Sequence, residues 1–298
     1  LRIYRQSRRL CLYRSLHDRH NCHDDCHDPR GGSVVNIPSA YLRVHIPAKA
    51  AGAETENQAK VVQFIKKIGM KHIKVFAPGT VANLGCGFDV MGLTLDGVGD
   101  VLEVGVAENA EGFEIRNRSG MELPGNVEEN VITPAVRALL EAYGRPVRIE
   151  VEILEKIAPG SGIGSSAASS AAAVYGLNEL LGRPFSAERL VEFAMMGEAL
   201  IGGTPHADNV GPALLGGVVL IRGYEPLDIV RLPVPEGFFY AVVHPDIVVS
   251  TKQAREVLPR EVPLHDAVTQ WGNVGGLVAG FALGDVCLLY TSPSPRDS

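Results

Sequence analysis

The residues best suited to chemistry lie in one stretch, Pro159 to Ser170, which reads P-G-S-G-I-G-S-S-A-A-S-S. Gly160, Gly162 and Gly164 open backbone conformations closed to other residues and let a ligand approach the main chain closely. Ser165 and Ser166 stand where an alanine-dense segment, 167–181, should begin a helix. Unpaired N–H groups and the positive end of the helix dipole then face outward. Just upstream, Val147, Ile149, Val151 and Ile153 alternate with Arg148, Glu150 and Glu152, the period of a strand. Strand, glycine loop and helix N-terminus together make a phosphate cradle. A glycine–serine loop also serves as a plain turn, so this stretch alone does not decide. No Gly-Lys-Ser/Thr follows, which excludes a Walker loop, and the dinucleotide spacing G-x-G-x-x-G fails at Ser165.

Three further stretches carry candidate side chains. A-P-G-T-V-A-N-L-G-C-G-F-D-V-M-G-L-T-L-D, Ala77 to Asp96, places Asn83 and Asp89 in a glycine-rich loop after a strand, offering an amide and a carboxylate to a ligand. The plainer reading is Asn and Asp shaping bends. Cys86 lacks an evident histidine partner and reads as a small buried filler. Glu198 falls in an otherwise apolar helix end, A-M-M-G-E-A-L-I-G-G, where a carboxylate is costly unless it is paired or meets a cation. A magnesium ion held partly by that carboxylate and partly by substrate phosphates suits such a site; a capped or exposed glutamate is the alternative. Asp208 and Asn209 follow in T-P-H-A-D-N-V, and His206 beside them is expected to hydrogen-bond within its loop. In S-T-K-Q-A-R, Thr251 and Arg255 are four apart and share a helix face, where an arginine fork can grip a carboxylate or form a surface ion pair.

The elements that must position these groups are legible from Met70 onward. Strands are expected over 73–77, 102–106, 113–115, 147–154, 217–221 and 238–243. Val131, Ala135, Leu139 and Tyr143, with Ile132, Val136 and Leu140, draw a helical stripe that ends at Gly144. A helix over 165–181 follows, then a second one capped by Ser186 and stopped at Gly202-Gly203. Further helices are expected from near Thr251 and over 265–283.

Residues 1–69 have another texture, without sustained periodicity. They hold 12 Lys+Arg against 6 Asp+Glu, whereas residues 70–298 hold 16 against 28, so the formal charge of -6 conceals a boundary. The cluster His17, His20, Cys22, His23, Cys26 and His27 has zinc-ligand types, but no flanking element would hold them, and a non-native or disordered extension is the expected reading. M-K-H-I-K-V-F-A-P at Met70 is expected to be the natural start. Residues 288–298, L-L-Y-T-S-P-S-P-R-D-S, read as a turn-forming artefactual tail on a chain cut short near Val286. The acidic body is a poor nucleic-acid binder and suits a small-molecule enzyme. No apolar run is long enough to span a membrane. Five cysteines in no even framework point to a reducing, cytoplasmic compartment.

Taken in order, the four stretches resemble the GHMP small-molecule kinases, and within them the homoserine kinase branch, from about Lys71 to Leu283. V-F-A-P-G-T-V-A-N-L-G-C-G-F-D-V-M-G-L is similar to the family's first motif and P-G-S-G-I-G-S-S-A-A-S-S to its nucleotide loop. H-A-D-N-V-G-P-A-L-L-G-G and T-K-Q-A-R-E-V-L-P are more particular to that branch. The resemblance implies an α+β fold: an N-terminal ribosomal protein S5 domain 2-like ATP-binding domain over 70–225, and a truncated ferredoxin-like C-terminal domain over 226–287. It implies ATP and Mg2+ as cofactors and L-homoserine as the small-molecule substrate, and it allows a homodimer. ATP phosphates would rest on Pro159, Gly160, Ser161, Gly162, Ile163, Gly164, Ser165, Ser166, Ala167, Ala168 and Ser169, with Asn130 near the adenine. Ser166 and Glu198 would stand at the magnesium. Asn83, Asp89, Asp208 and Asn209 would line the homoserine site, with Thr251 beside it and Arg255 on the substrate carboxylate. Glu198, Asp208 and Asn209 are the expected catalytic residues, and the general base is left open. The family's third glycine-rich motif and a second carboxylate-binding arginine are not found in this sequence. A mevalonate- or shikimate-type kinase and an inactive nucleotide-binding fragment are the alternatives.

Overall fold

The computed structural model describes residues 70–236, 240, 242, 257–259 and 261–291, together with the backbone of 33–36 and 43–46. Its strands are β1 (Ser33–Asn36), β2 (Arg43–Ile46), β3 (Lys71–Ala82), β4 (Met91–Glu108), β5 (Gly112–Asn117), β6 (Val147–Glu155), β7 (Val218–Tyr224) and β8 (Leu227–Leu232). They form one sheet in the order β1-β2-β3-β4-β6-β5, with β7 added along β4 and β8 along β7. Only the β5–β6 pair is parallel; the remaining pairs are antiparallel. β4 holds the sheet together because, beside β3 on one edge, it is long enough to serve two partners on the other, β7 through Met91–Leu93 and β6 through Val101–Glu108.

The alternation in β6 does what its pattern demands. Val147, Ile149, Val151 and Ile153 are buried, and the residues between them lie on the wetter face. That face is charged: Lys74 pairs with Glu103, Arg148 with Glu150, and Arg118 with Glu152. The helices are α1 (Ile132–Tyr143), α2 (Ser165–Leu180), α3 (Ala187–Gly202), α4 (Val210–Leu215), α5 (Leu264–Leu283) and α6 (Val286–Thr291). α1 to α4 cover the other face, whereas α5 packs into a second cluster around Met91, Leu93 and Val218. α2 lies directly on β3 and β4, and α1 and α3 pack against α2 from outside. Residues 167–178 of α2 are all buried. Their small side chains let the helix sink onto the sheet: a Cβ at Gly176 would stand 2.9 Å from methyls of Val75 and Val104. Such close packing on every side makes the first turn of α2 a rigid platform.

The expected helix caps are present. Gly144 ends α1 with φ of 69°, Gly203 ends α3 with φ of 79°, and the Ser186 hydroxyl accepts from Arg189 N at the head of α3. Other expectations need correction. The strand expected over 73–77 runs to Ala82, because β3 re-registers on β4 across a bulge between Pro78 and Thr80. The first motif is therefore strand at both ends and loop only between Ala82 and Met91. Within residues 1–69, expected to be a non-native or disordered extension, β1 pairs with β2, and β2 pairs along the edge of β3, whose backbone groups offer a template. α6 runs through Leu288 to Thr291, where turns are expected. The Asp285 carboxylate accepts from the Cys287 and Leu288 amides and so starts a helix there. The β7–β8 hairpin spans the 225/226 position expected to divide two domains. The strand expected over 238–243 lies mostly outside the described residues. The helix start near Thr251, the His17–His27 cluster and residues 292–298 lie wholly outside them.

Candidate active site

The loop from Pro159 to Gly164 joins β6 to α2 through three glycines with positive φ, Gly160 at 75°, Gly162 at 74° and Gly164 at 67°. Gly164 is the N-cap of α2 and has no side chain with which to satisfy the first-turn amides, so those donors stay available to an anion. Its lack of a Cβ is also a spatial need, since a Cβ there would stand 2.0 Å from Thr80 Oγ1. Thr80 is fully buried at the bulge of β3 and ties two motifs together. Its amide donates to the Ile163 carbonyl at 3.1 Å, and its hydroxyl donates to Asn209 Oδ1 at 2.7 Å. Asn209 is thereby fixed against the glycine loop.

Glu198 reaches the same place from α3. Its Oε1 is buried without a hydrogen-bond partner, and Ser166 hydrogen-bonds its carboxyl group. Burial pushes the Glu198 carboxyl up to about 7, with the nearby Asp208 charge pushing the same way and Ser166 and Lys156 opposing. An orphaned, buried carboxylate oxygen next to a serine hydroxyl at a helix N-terminus fits a divalent cation that also touches phosphate. Asp208 is itself buried, and its backbone lies on β4: a Cβ at Gly92 would stand 1.7 Å from the Asp208 carbonyl oxygen.

The third group is the loop after β3. Asn83 and Asp89 both adopt left-handed backbone, with φ of 73° and 58°. Side chains rarely do so without a local reason. Here Asn83 Oδ1 accepts from the Asp89 amide at 2.9 Å, so the bend-forming role raised by the sequence is real for Asn83. The Asp89 carboxylate faces the 204–209 loop, with Oδ2 at 3.9 Å from His206 Nδ1, while His206 Nε2 is 2.6 Å from Thr204 Oγ1. His206 is thus a loop hydrogen-bonder, as expected. Tyr224 joins the two loops from β7, its hydroxyl donating to the Asp89 carbonyl at 3.0 Å and accepting from the Ala207 amide.

The fold therefore gathers Ser166, Glu198 and Asp208 around one point, fixes Asn209 to the nucleotide-type loop, and sets Asn83 and Asp89 across from His206. Asn130 stands apart from this group. Its Oδ1 accepts from the Ile132 amide and caps the head of α1, and the next residue's carbonyl accepts from Ser170 on α2. Thr251 and Arg255 lie outside the described residues. Cys86 is a buried filler, as expected, in a cluster with Met91, Leu93 and Phe281, and burial pushes its thiol up. A cavity of about 320 Å³ between β5, α1 and the start of β6 contains none of the motif residues.

Sequence reasoning missed Thr80, Tyr224, Asp100 and Lys156. The last two form a fully buried ion pair beneath the glycine loop. Lys156, three residues before Pro159, and Asp100, a lone carboxylate before an alternating strand, were the available signals.

Comparisons with known proteins point to one family. Residues 130–217 match the family model described as the GHMP kinases N-terminal domain. A homoserine kinase from Methanococcus maripaludis is 41% identical over 219 residues, spanning 74% of this chain and 72% of the relative. One from Chlorobium phaeobacteroides is 41% identical over 232 residues, with the same shares. Among solved structures, a homoserine kinase from Cytophaga hutchinsonii superimposes with a TM-score of 0.66 at 44% identity, over 75% of this chain and 71% of that one.

Proposed function

This chain belongs to the homoserine kinases of the GHMP kinase family, and from that premise we propose that it transfers the γ-phosphoryl group of ATP to the hydroxyl of L-homoserine. The products are O-phospho-L-homoserine, on the route to threonine, and ADP. The observation that carries the assignment is the convergence of Ser166, Glu198 and Asp208 at the head of α2, where no side chain of the N-cap Gly164 occupies the first-turn amides.

Phosphoryl transfer asks the protein for positioning and charge stabilisation more than for covalent chemistry. The oxygen of the substrate hydroxyl bonds to the γ-phosphorus as the bridge to the β-phosphate breaks, and the hydroxyl proton is released. Backbone amides of Gly160 to Ser166 hold the β- and γ-phosphate oxygens. Pro159, Ala167, Ala168 and Ser169 shape that loop and the helix it enters, and Asn130 borders the adenine. Ser166 and Glu198 would hold Mg2+, which when bound would supply positive charge to the phosphate oxygens. Asp208 and Asp89 receive the homoserine ammonium. Asn83 and Asn209 place their amides around the substrate, with Thr251 beside it and Arg255 matching its carboxylate. Cys86 is a buried free thiol, in keeping with a cytoplasmic enzyme. Among the described residues no helix is long and apolar enough to cross a membrane.

A coupled ADP-release assay on a panel of alcohols tests the assignment. L-homoserine should be the preferred acceptor, and mevalonate or shikimate should be poor ones. Preference for an alcohol that lacks the amino and carboxylate groups would overturn it.

A further inference from the structure

Directly beneath the nucleotide loop sits an ion pair that the mechanism above does not use. Asp100, in β4, has a fully buried side chain, and Lys156, just after β6, is 4% exposed. Lys156 Nζ donates to Asp100 Oδ2 at 2.9 Å, to the Ser165 carbonyl at 2.6 Å and to the Ser165 hydroxyl. All three ammonium protons therefore have acceptors. Asp100 also accepts from the Ile157 amide at 2.8 Å and from the Ser169 hydroxyl at 2.6 Å, while the Ser165 hydroxyl donates to the Ile157 carbonyl at 2.8 Å. Burial pushes the Asp100 carboxyl up and the Lys156 ammonium down, and each partner's charge opposes the other's shift.

A buried ion pair is weak support for stability, because apolar residues of similar volume often serve as well or better. What this one does uniquely is geometric. Its contacts end on both sides of the loop, at Ile157 before it and at Ser165 and Ser169 after it. Lys156 also attracts Glu198. We propose that Asp100 and Lys156 are positioning residues for phosphoryl transfer: the pair clamps Ser165 so that the first-turn amides and Ser166 face the phosphates. The inference rests on reading Gly160 to Ser166 as the nucleotide loop.

The test is the double variant Asp100→Asn with Lys156→Met, made beside Lys156→Met alone. The single variant strands a buried carboxylate and should melt lower; the double removes both charges and should recover most of the melting temperature. Its affinity for ADP by calorimetry and its KM for ATP should nevertheless be weaker by about tenfold, the size of one lost charge-assisted hydrogen bond. Its KM for L-homoserine should stay within about twofold, because uniform binding of that substrate is untouched. Ser165→Ala, a milder change, should weaken ADP in the same direction and keeps the inference testable if the double variant does not fold. A double variant, or in its absence Ser165→Ala, that binds ADP like the parent would overturn the clamp, as would equal rises in both KM values. Failure of the parent itself to bind ADP would remove the nucleotide-loop reading and this inference with it.

Discussion

At the residue scale the site turns on Glu198. A carboxyl group there exchanges water for a low-dielectric surrounding, so it holds its proton up to about 7 instead of the ordinary 4.5. The folded protein then binds more protons than the unfolded chain between those two values, and stability must fall as pH rises through that window, by about 3 kcal/mol in total. Glu198→Gln cannot ionise. Its stability profile should lose that decline, so that it melts higher than the parent at pH 8, as thermal scans across pH 4–8 would reveal. The same variant should lower kcat by about 100-fold or more, because it removes fixed charge from the phosphoryl site. Activity at the parental level would mean the carboxylate serves no phosphoryl chemistry. Thr80 makes a subtler prediction. Thr80→Val keeps the shape but leaves Asn209 Oδ1 without its donor. Because Asn209 then loses its fixed orientation, steady-state kinetics should record a KM for L-homoserine raised several-fold, roughly one neutral hydrogen bond.

At the scale of elements, the loop and α2 act as one device. The helix can offer its first-turn amides only because Gly164 enters it in a left-handed conformation and without a side chain. Gly164→Ala meets both obstacles at once: the left-handed cost of about 1–2 kcal/mol, and a Cβ placed 2.0 Å from Thr80 Oγ1. Melting temperature and nucleotide affinity should therefore fall together. A variant that binds ADP normally would show that the loop's path is not set by this contact. The interior of α2 is equally exacting. Its alanines, serines and Gly176 are there because β3 and β4 lie so close beneath, which also explains why this helix shows no polar face: it is buried all round.

At the scale of the whole molecule, the described residues bury two apolar clusters. The larger joins the sheet to α1, α2 and α3; the smaller joins Cys86, Met91, Leu93 and Val218 to Leu277 and Phe281 of α5. β4 contributes to both, and the substrate-side loop between β3 and β4 sits over the smaller one. Phe281→Ala should cost about 3–5 kcal/mol, as for other buried phenylalanines. Because the glycine loop rests on the larger cluster, ADP affinity should stay within twofold, and urea unfolding followed by ADP titration separates the two effects.

Much of this was legible in one dimension. Wherever a local rule suffices, the chain carries its own instruction: period-two burial in β6, the Ser186 cap, the glycine stops after α1 and α3, and the glycine loop opening onto a run of small residues. The order of the four motifs also sufficed to indicate the kinase family. What sequence could not decide were contacts between residues far apart in it. That β3 continues past Pro78 depends on a bulge completed by β4. That Asn83 shapes its own loop depends on the amide of Asp89. That Thr80 fastens Asn209, and that Asp100 and Lys156 meet under Ser165, depends on chain separations of 129 and 56 residues. A short-range pattern reports which face of an element is apolar, because periodicity is a property of one segment. Which polar atoms meet is fixed only when segments pack, because a buried donor or acceptor must find its partner wherever the fold has brought one.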